Sequence, residues 1–219
     1  MATTTPATPS TISPLLALPA ELRNTIWAHL LIGTLTSTST SHNLSTRILL
    51  VSRQINAEAT PILYGENKFN AHPSLLATLP SLRPGRPDLG NERGVSKRYE
   101  PVTHPRPLSL IRRFCLYVRL DTDARFTAEQ VESSFSGVEE LEIEVFQSMY
   151  GSCDFTKLRL FEGVRGVNRA VVDGSVGDGK YAAWLAGIMM LPEGEEVLPY
   201  SEVYVGGHWA WDAWSRGNR

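Results

Sequence analysis

LLALPAELRNTIWAHLLIG, Leu15 to Gly33, and LSTRILLVSRQINAEATPILYGENKF, Leu44 to Phe69, decide how the first part of this chain folds. Pro19 has the fixed φ and missing N–H that suit a helix start, and Leu18, Leu22, Ile26 and Leu30 recur along one helical face. Gly33 then closes the helix as a left-handed residue would. In the second stretch Leu44, Ile48, Val51, Ile55 and Ala59 repeat the spacing, while Arg47, Arg53, Asn56 and Glu58 fall off the stripe. The expectation is a pair of short amphipathic helices that bury their stripes together.

Working outward, Met1–Ser13 is a Thr/Ser/Pro/Ala tail with too little apolar surface to offset its ordering entropy. Residues 14–79 form the helical module, and 80–107, dense in Pro, Gly and Arg, read as a long loop. In that loop Arg83, Arg86, Arg93, Lys97, Arg98 and Arg106 outnumber the acids, so a contact to an acidic partner is one use for it.

Residues 108–219 have a strand–helix rhythm. Strands are expected at Ile111–Leu120, Val138–Phe146 and Val167–Asp173, with helices at Thr122–Phe135, Asp154–Glu162 and Lys180–Met190. Strand centres at Leu116, Ile143 and Val171 recur at a period of ~27 residues, within the range of leucine-rich-repeat units. The fold class is therefore α/β, a short and mostly parallel sheet built from strand–helix–strand crossovers, with a ferredoxin-like α+β sheet as the rival. Glu202–Val205 and the Trp209, Trp211, Trp214 cluster beside His208 read as an edge strand and a cap, or as a binding hot spot.

Phe114, Leu116, Val118 and Leu120 share one face of the first strand, and Leu141, Ile143 and Val145 one face of the second. Both faces should meet the helices. The opposite faces carry Arg113, Cys115, Tyr117 and Arg119 beside Glu140, Glu142 and Glu144. Such columns make a solvated face tied by cross-strand ion pairs, or a client-recognition surface formed by Arg113, Tyr117, Arg119, Glu140, Glu142 and Glu144.

The pattern Leu16, Leu18, Pro19, Glu21, Leu22, Arg23, Ile26, Trp27, then Val51, Ser52, Arg53, Gln54, and finally Tyr64, Gly65, Glu66, Asn67, Phe69 resembles the F-box-like N-terminal segment of a large group of fungal proteins. The resemblance implies a helical segment that binds a Skp-type adaptor and so links a substrate-recognition domain to a cullin-based ubiquitin ligase. On that basis Leu18, Pro19, Leu22, Ile26 and Trp27 would meet the adaptor, and an unidentified client protein would meet the sheet face or the Arg-rich loop. The connection between the helices is longer and richer in Ser and Thr than in a typical F-box. Ser52, Arg53, Gln54, Ile55 stand where a Cys-Arg-x-Trp segment is common.

Composition narrows the alternatives. The chain has 219 residues, 42% of them hydrophobic, enough for a core, and a formal net charge of -2, which argues against a broad basic surface for nucleic acid. Cys115 and Cys153 alone suit a reducing compartment. The first twenty residues carry no charge, unlike a secretory or transit leader, so cytosol or nucleus is expected. No apolar run approaches the ~20 residues of a membrane helix.

Gly174–Lys180, GSVGDGK, satisfies the Gly-x-x-x-x-Gly-Lys part of a phosphate-binding loop between an expected strand and helix. Tyr181 stands where a Ser or Thr would hold magnesium, and no apolar strand ending in an Asp follows. The nucleotide-binding alternative therefore competes with a Gly/Asp-rich turn. His29, His42, His72, His104 and His208 lack ligand spacing, so no metal or cofactor is expected. Nothing pairs an acid with a base, a Ser elbow is missing, and Cys115 lies mid-strand without a His, which points away from an enzyme. The expected function is a non-enzymatic interaction module, or else a structural protein whose helices complete one fused domain.

Overall fold

The computed structural model describes residues 13–33, 44–83, 99–147, 155–195 and 197–200. Helix α1 (Ala20–Leu31) starts at Pro19, and Ser52 caps α2 (Arg53–Glu66) by accepting from the Ile55 N–H. Ser52 is extended, so the second stretch is not one helix: a 3-10 turn at Thr46–Leu50 precedes it, and the apolar periodicity restarts at Ile55. The buried set of α2 is Ile55, Ala59 and Leu63, one per turn, and Val51 is turned out to solvent.

The buried stripe of α1 is rotated from the expected one. Trp27 and Leu31 are its fully buried residues, and they meet Ile55, Ala59 and Leu63 of α2. Leu22 points largely to solvent, while Ile26 and Leu30 are half-buried at the edge of that cluster. Apolar residues ring α1 nearly all the way round, so spacing alone does not choose a face; the indole, with the most area to remove from water, does.

Strands β1 (Phe69–His72) and β2 (Leu76–Leu82) form an antiparallel hairpin that the sequence reading missed. The boundary drawn at residue 79 falls inside β2, and Ser81 makes a further bridge to Pro101. A short helix, α3 (Pro105–Leu108), leads to β3 (Arg113–Arg119). Then come α4 (Ala128–Phe135), β4 (Glu140–Phe146), a 3-10 turn at Thr156–Phe161, β5 (Arg169–Gly174) and α5 (Lys180–Met189). A capping box fixes the start of α4: Thr127 accepts from the Gln130 N–H and Gln130 accepts from the Thr127 N–H, which delays the helix beyond the expected Thr122.

The sheet has five strands in the order β2-β1-β3-β4-β5, with β1, β3, β4 and β5 parallel. Leu116, Ile143 and Val172 fall in one row, so the expected third centre, Val171, lies one residue off and faces the other side. One face packs Phe114, Leu116, Val118, Leu141, Ile143 and Val145 under α4, the second 3-10 turn and α5, which contribute Val131 and Phe135, Leu158 and Phe161, and Leu185, Ile188 and Met189. Phe114 meets Phe135 edge-on at 5.6 Å between ring centres. This is a mixed α/β architecture with one sheet face covered by helices. Among the described residues no helix is long and apolar enough to cross a membrane.

Candidate interaction surfaces

The motif residues of the helical module lock it together. Arg23 donates to both carboxylate oxygens of Glu58, at 2.9 and 2.7 Å, and also to the carbonyls of Leu16 and Leu18. The Trp27 indole N–H and the Gln54 amide donate to the same carboxylate, at 3.3 and 3.0 Å. The hydrogen bonds from Arg23 and Gln54 hold the Glu58 carboxyl down at about 2. Asn67 is buried and closes the far end: its amide donates to Leu31 O at 2.7 Å and Leu63 O at 2.8 Å, and its oxygen accepts from the Gly33 N–H at 2.8 Å. One side chain thus satisfies carbonyls in the last turns of both helices.

Of the five residues expected to meet an adaptor, Leu18 and Ile26 are half-buried, Pro19 starts the helix, and Leu22 is 53% exposed. Trp27 is 0% exposed and leaves the contact set, because its ring fills the module core and its N–H is held by Glu58. Sequence spacing overlooked the adjacent pair Leu50 and Val51, which are 86% and 66% exposed. The signal for them was Ser52, whose N-cap chemistry ends the preceding turn and releases the stripe.

On the second surface, the sheet face that no helix among the described residues covers, the Arg/Glu columns meet in register: Arg113 lies opposite Glu140, Cys115 opposite Glu142, and Tyr117 opposite Glu144. The pairing is not simply cross-strand. Arg113 turns to Glu139 and Glu66 at 2.8 and 3.0 Å. Glu140, almost fully buried, is held by Lys68 at 2.9 Å and Arg169 at 3.0 Å. Lys68 and Arg83 both reach Glu142, at 2.9 and 2.8 Å, and Arg83 continues to Glu144 at 3.4 Å. Burial pushes the Glu142 carboxyl up, but Lys68 and Arg83 outweigh it and leave it below its ordinary value. Lys68 and Arg83 flank the unforeseen hairpin, so these partners were not legible. The alternation Lys68, Asn70, His72 was the one available sign of a strand with a polar side.

Beneath Arg83, Cys115 is fully buried, and burial pushes its thiol up to about 12 against the opposing charge of Arg83. A thiol in that state is not a nucleophile at neutral pH. Its sulfur and the oxygens of Glu142 and Glu144 lie within 4.8 Å of one another, but Arg83 and Lys68 already meet the carboxylate charge. Asn70, beside Cys115 in the register, has a buried side-chain oxygen without a partner among the described residues.

No family model matches this chain, and neither does a curated protein or a solved structure. The assignment of a role therefore rests on the surfaces themselves.

The GSVGDGK segment joins β5 to α5, and five of its N–H groups have partners within the chain. Gly174 N–H donates to Asp173, Ser175 to Val145 O, Val176 to Gly174 O, Gly179 to Val176 O and Lys180 to Asp178. The Lys180 ammonium pairs with Asp178 at 3.3 Å. A phosphate cradle needs such N–H groups turned toward an anion. Here they close a turn, and Gly174, Gly177 and Gly179 supply the left-handed backbone it requires. The cluster at Trp209, Trp211 and Trp214 and the segment Glu202–Val205 lie outside the described residues.

Proposed function

We propose that this chain is a non-enzymatic protein–protein interaction subunit whose α1–α2 module docks a Skp-type adaptor while the uncovered sheet face engages a client, as a substrate-recognition subunit of a cullin-based ubiquitin ligase would. One observation carries the reading. The module closes its own core around Trp27, yet Leu22, Leu50 and Val51 are left largely in solvent. Pro19 starts α1, Glu21 sits in its first turn where the helix dipole favours an acid, Arg23 bolts it to α2 and Trp27 fills the core. Leu22 has no comparable internal task. Large apolar side chains exposed among the described residues are available to a docking partner.

The deciding experiment is calorimetric titration of a purified Skp-type adaptor into the whole chain, the Leu22→Asp and Leu50→Asp variants, and a Glu129→Gln control on α4. Binding by the native chain and the control, weakened about tenfold or more in both Asp variants at unchanged circular dichroism, supports the reading. No heat with the native chain removes the adaptor role. Equal binding by all four proteins removes this surface from it.

A further inference from the structure

The two ends of the uncovered sheet face differ in charge balance. Toward the start of the parallel strands every carboxylate meets cations: Glu140 has Lys68 and Arg169, and Glu142 has Lys68 and Arg83. Toward their ends the row reads Tyr117, Glu144, Asp173, so two carboxylates stand directly opposite each other on neighbouring strands. Like charges in that position destabilise a sheet. Glu144 receives one long contact from Arg83, and Asp173 accepts from the Gly174 N–H with no ion pair among the described residues. On the same face two aromatic rings are turned to solvent, Tyr117 at 49% and Phe146 at 52% exposure.

The chain's own arginines already lie against these rings. The Arg83 guanidinium lies 6.0 Å from the Tyr117 ring centre while it pairs with Glu142 and Glu144. The Arg119 guanidinium lies 5.9 Å from the Phe146 ring centre. Aromatic faces and carboxylates side by side favour a planar cation, which stacks and forms hydrogen bonds at the same time. Asp173 is the acid on this row without such a cation.

We infer that the C-terminal end of the open sheet face, built from Tyr117, Glu144, Phe146 and Asp173, is a docking surface for an arginine-bearing extended segment of a partner protein, one guanidinium bridging Glu144 and Asp173 against the exposed aromatic rings. The inference rests on the reading of this chain as an interaction protein and supplies the chemistry of its client; it does not depend on an adaptor at α1. The excess of carboxylate at this end selects a basic partner, and the rings select arginine over lysine.

The test is an amide-resolved NMR titration of the full chain with the peptide Gly-Arg-Gly-Arg-Gly, its Lys counterpart and its Glu counterpart. Saturable shifts confined to the neighbourhood of residues 117, 144, 146 and 173, stronger for Arg than Lys and missing for Glu, support the proposal. The double variant Glu144→Gln/Asp173→Asn should weaken Arg-peptide binding about tenfold, whereas Glu129→Gln on the far helix leaves it unchanged. Thermal unfolding of the double variant, expected to stay close to native because the like-charge pair and the long Glu144–Arg83 contact are removed together, separates lost binding from lost fold. Shifts scattered over acidic residues elsewhere, or insensitivity to the double variant, overturn the inference. So does binding seen only after Arg86, Arg93, Lys97 and Arg98 are replaced by Gln, which would make a segment of this chain the occupant. Failure here leaves the calorimetric adaptor result untouched, and the reverse also holds.

Discussion

Arg23 and Glu58, 35 positions apart, meet through two parallel hydrogen bonds of 2.9 and 2.7 Å, and the same carboxylate takes the Trp27 indole. The pair orients the indole that fills the core between α1 and α2, so ion pair and packing act together. Because the folded Glu58 carboxyl stands at about 2, below the unfolded carboxylate value of ~4.3, its contribution is complete above the latter and is lost as pH falls toward the former. The Trp27 indole N–H resonance, followed by NMR between about pH 5 and pH 2, should shift with that titration, and Glu58→Gln should abolish the shift. Arg23→Gln and Glu58→Gln together should cost less than the sum of the separate changes.

Asn67 gives a second expectation. Asn67→Ala leaves Leu31 O, Leu63 O and Gly33 N without their side-chain partner at a buried position, so chemical denaturation should show a loss of about 2–3 kcal/mol. Asn67→Asp keeps the acceptor for Gly33 but sets a carboxylate against two carbonyls, and it should not restore the native stability.

The turn after β5 separates two glycine requirements. Gly174 has φ +99°, and a Cβ there would run into the carbonyl oxygen of Val145, so Gly174→Ala should cost about 2–3 kcal/mol or more in a denaturant titration. Gly179 has φ +73° with open space around it, and Gly179→Ala should cost about 1 kcal/mol from the backbone alone. Equal costs at both would contradict the close approach of β4 and β5.

Cys115 should behave as a packed residue. In a Cys153→Ser background, iodoacetamide near neutral pH should leave the folded chain unlabelled and modify it in denaturant, at the rate of unfolding. Since burial raises the folded thiol to about 12, above an unfolded value of ~8.5, its contribution is intact below the latter and fades as pH rises toward the former. Cys115→Ala should therefore shrink the alkaline loss of stability.

What the sequence made legible follows from how one-sided each element is. Strands β3 and β4 alternate cleanly, with apolar residues on the face that the helices cover, and their position and sidedness were readable. Helix α1 carries apolar residues on most sides, so the stripe through Leu22 and Ile26 was as plausible as the true one through Trp27 and Leu31. The hairpin was hidden for local reasons. Strand β1 is four residues long, β2 contains Pro80, and Leu76 enters β2 at φ +48°. Proline inside a strand is tolerated at a sheet edge, which is where β2 lies. With the hairpin went the two cations that organise the open face, since Lys68 and Arg83 sit just outside its strands.

Only Asn67 and Lys68 separate the end of α2 from the start of β1, and Arg113 in β3 reaches back to Glu66. So short and doubly fastened a joint behaves as a bracket and not a tether. On the proposed reading, an adaptor at α1 would hold a client on the sheet at a set bearing and reach, and glycines spliced in beside Lys68 would turn that fixed aim into a swivel without altering either proposed surface.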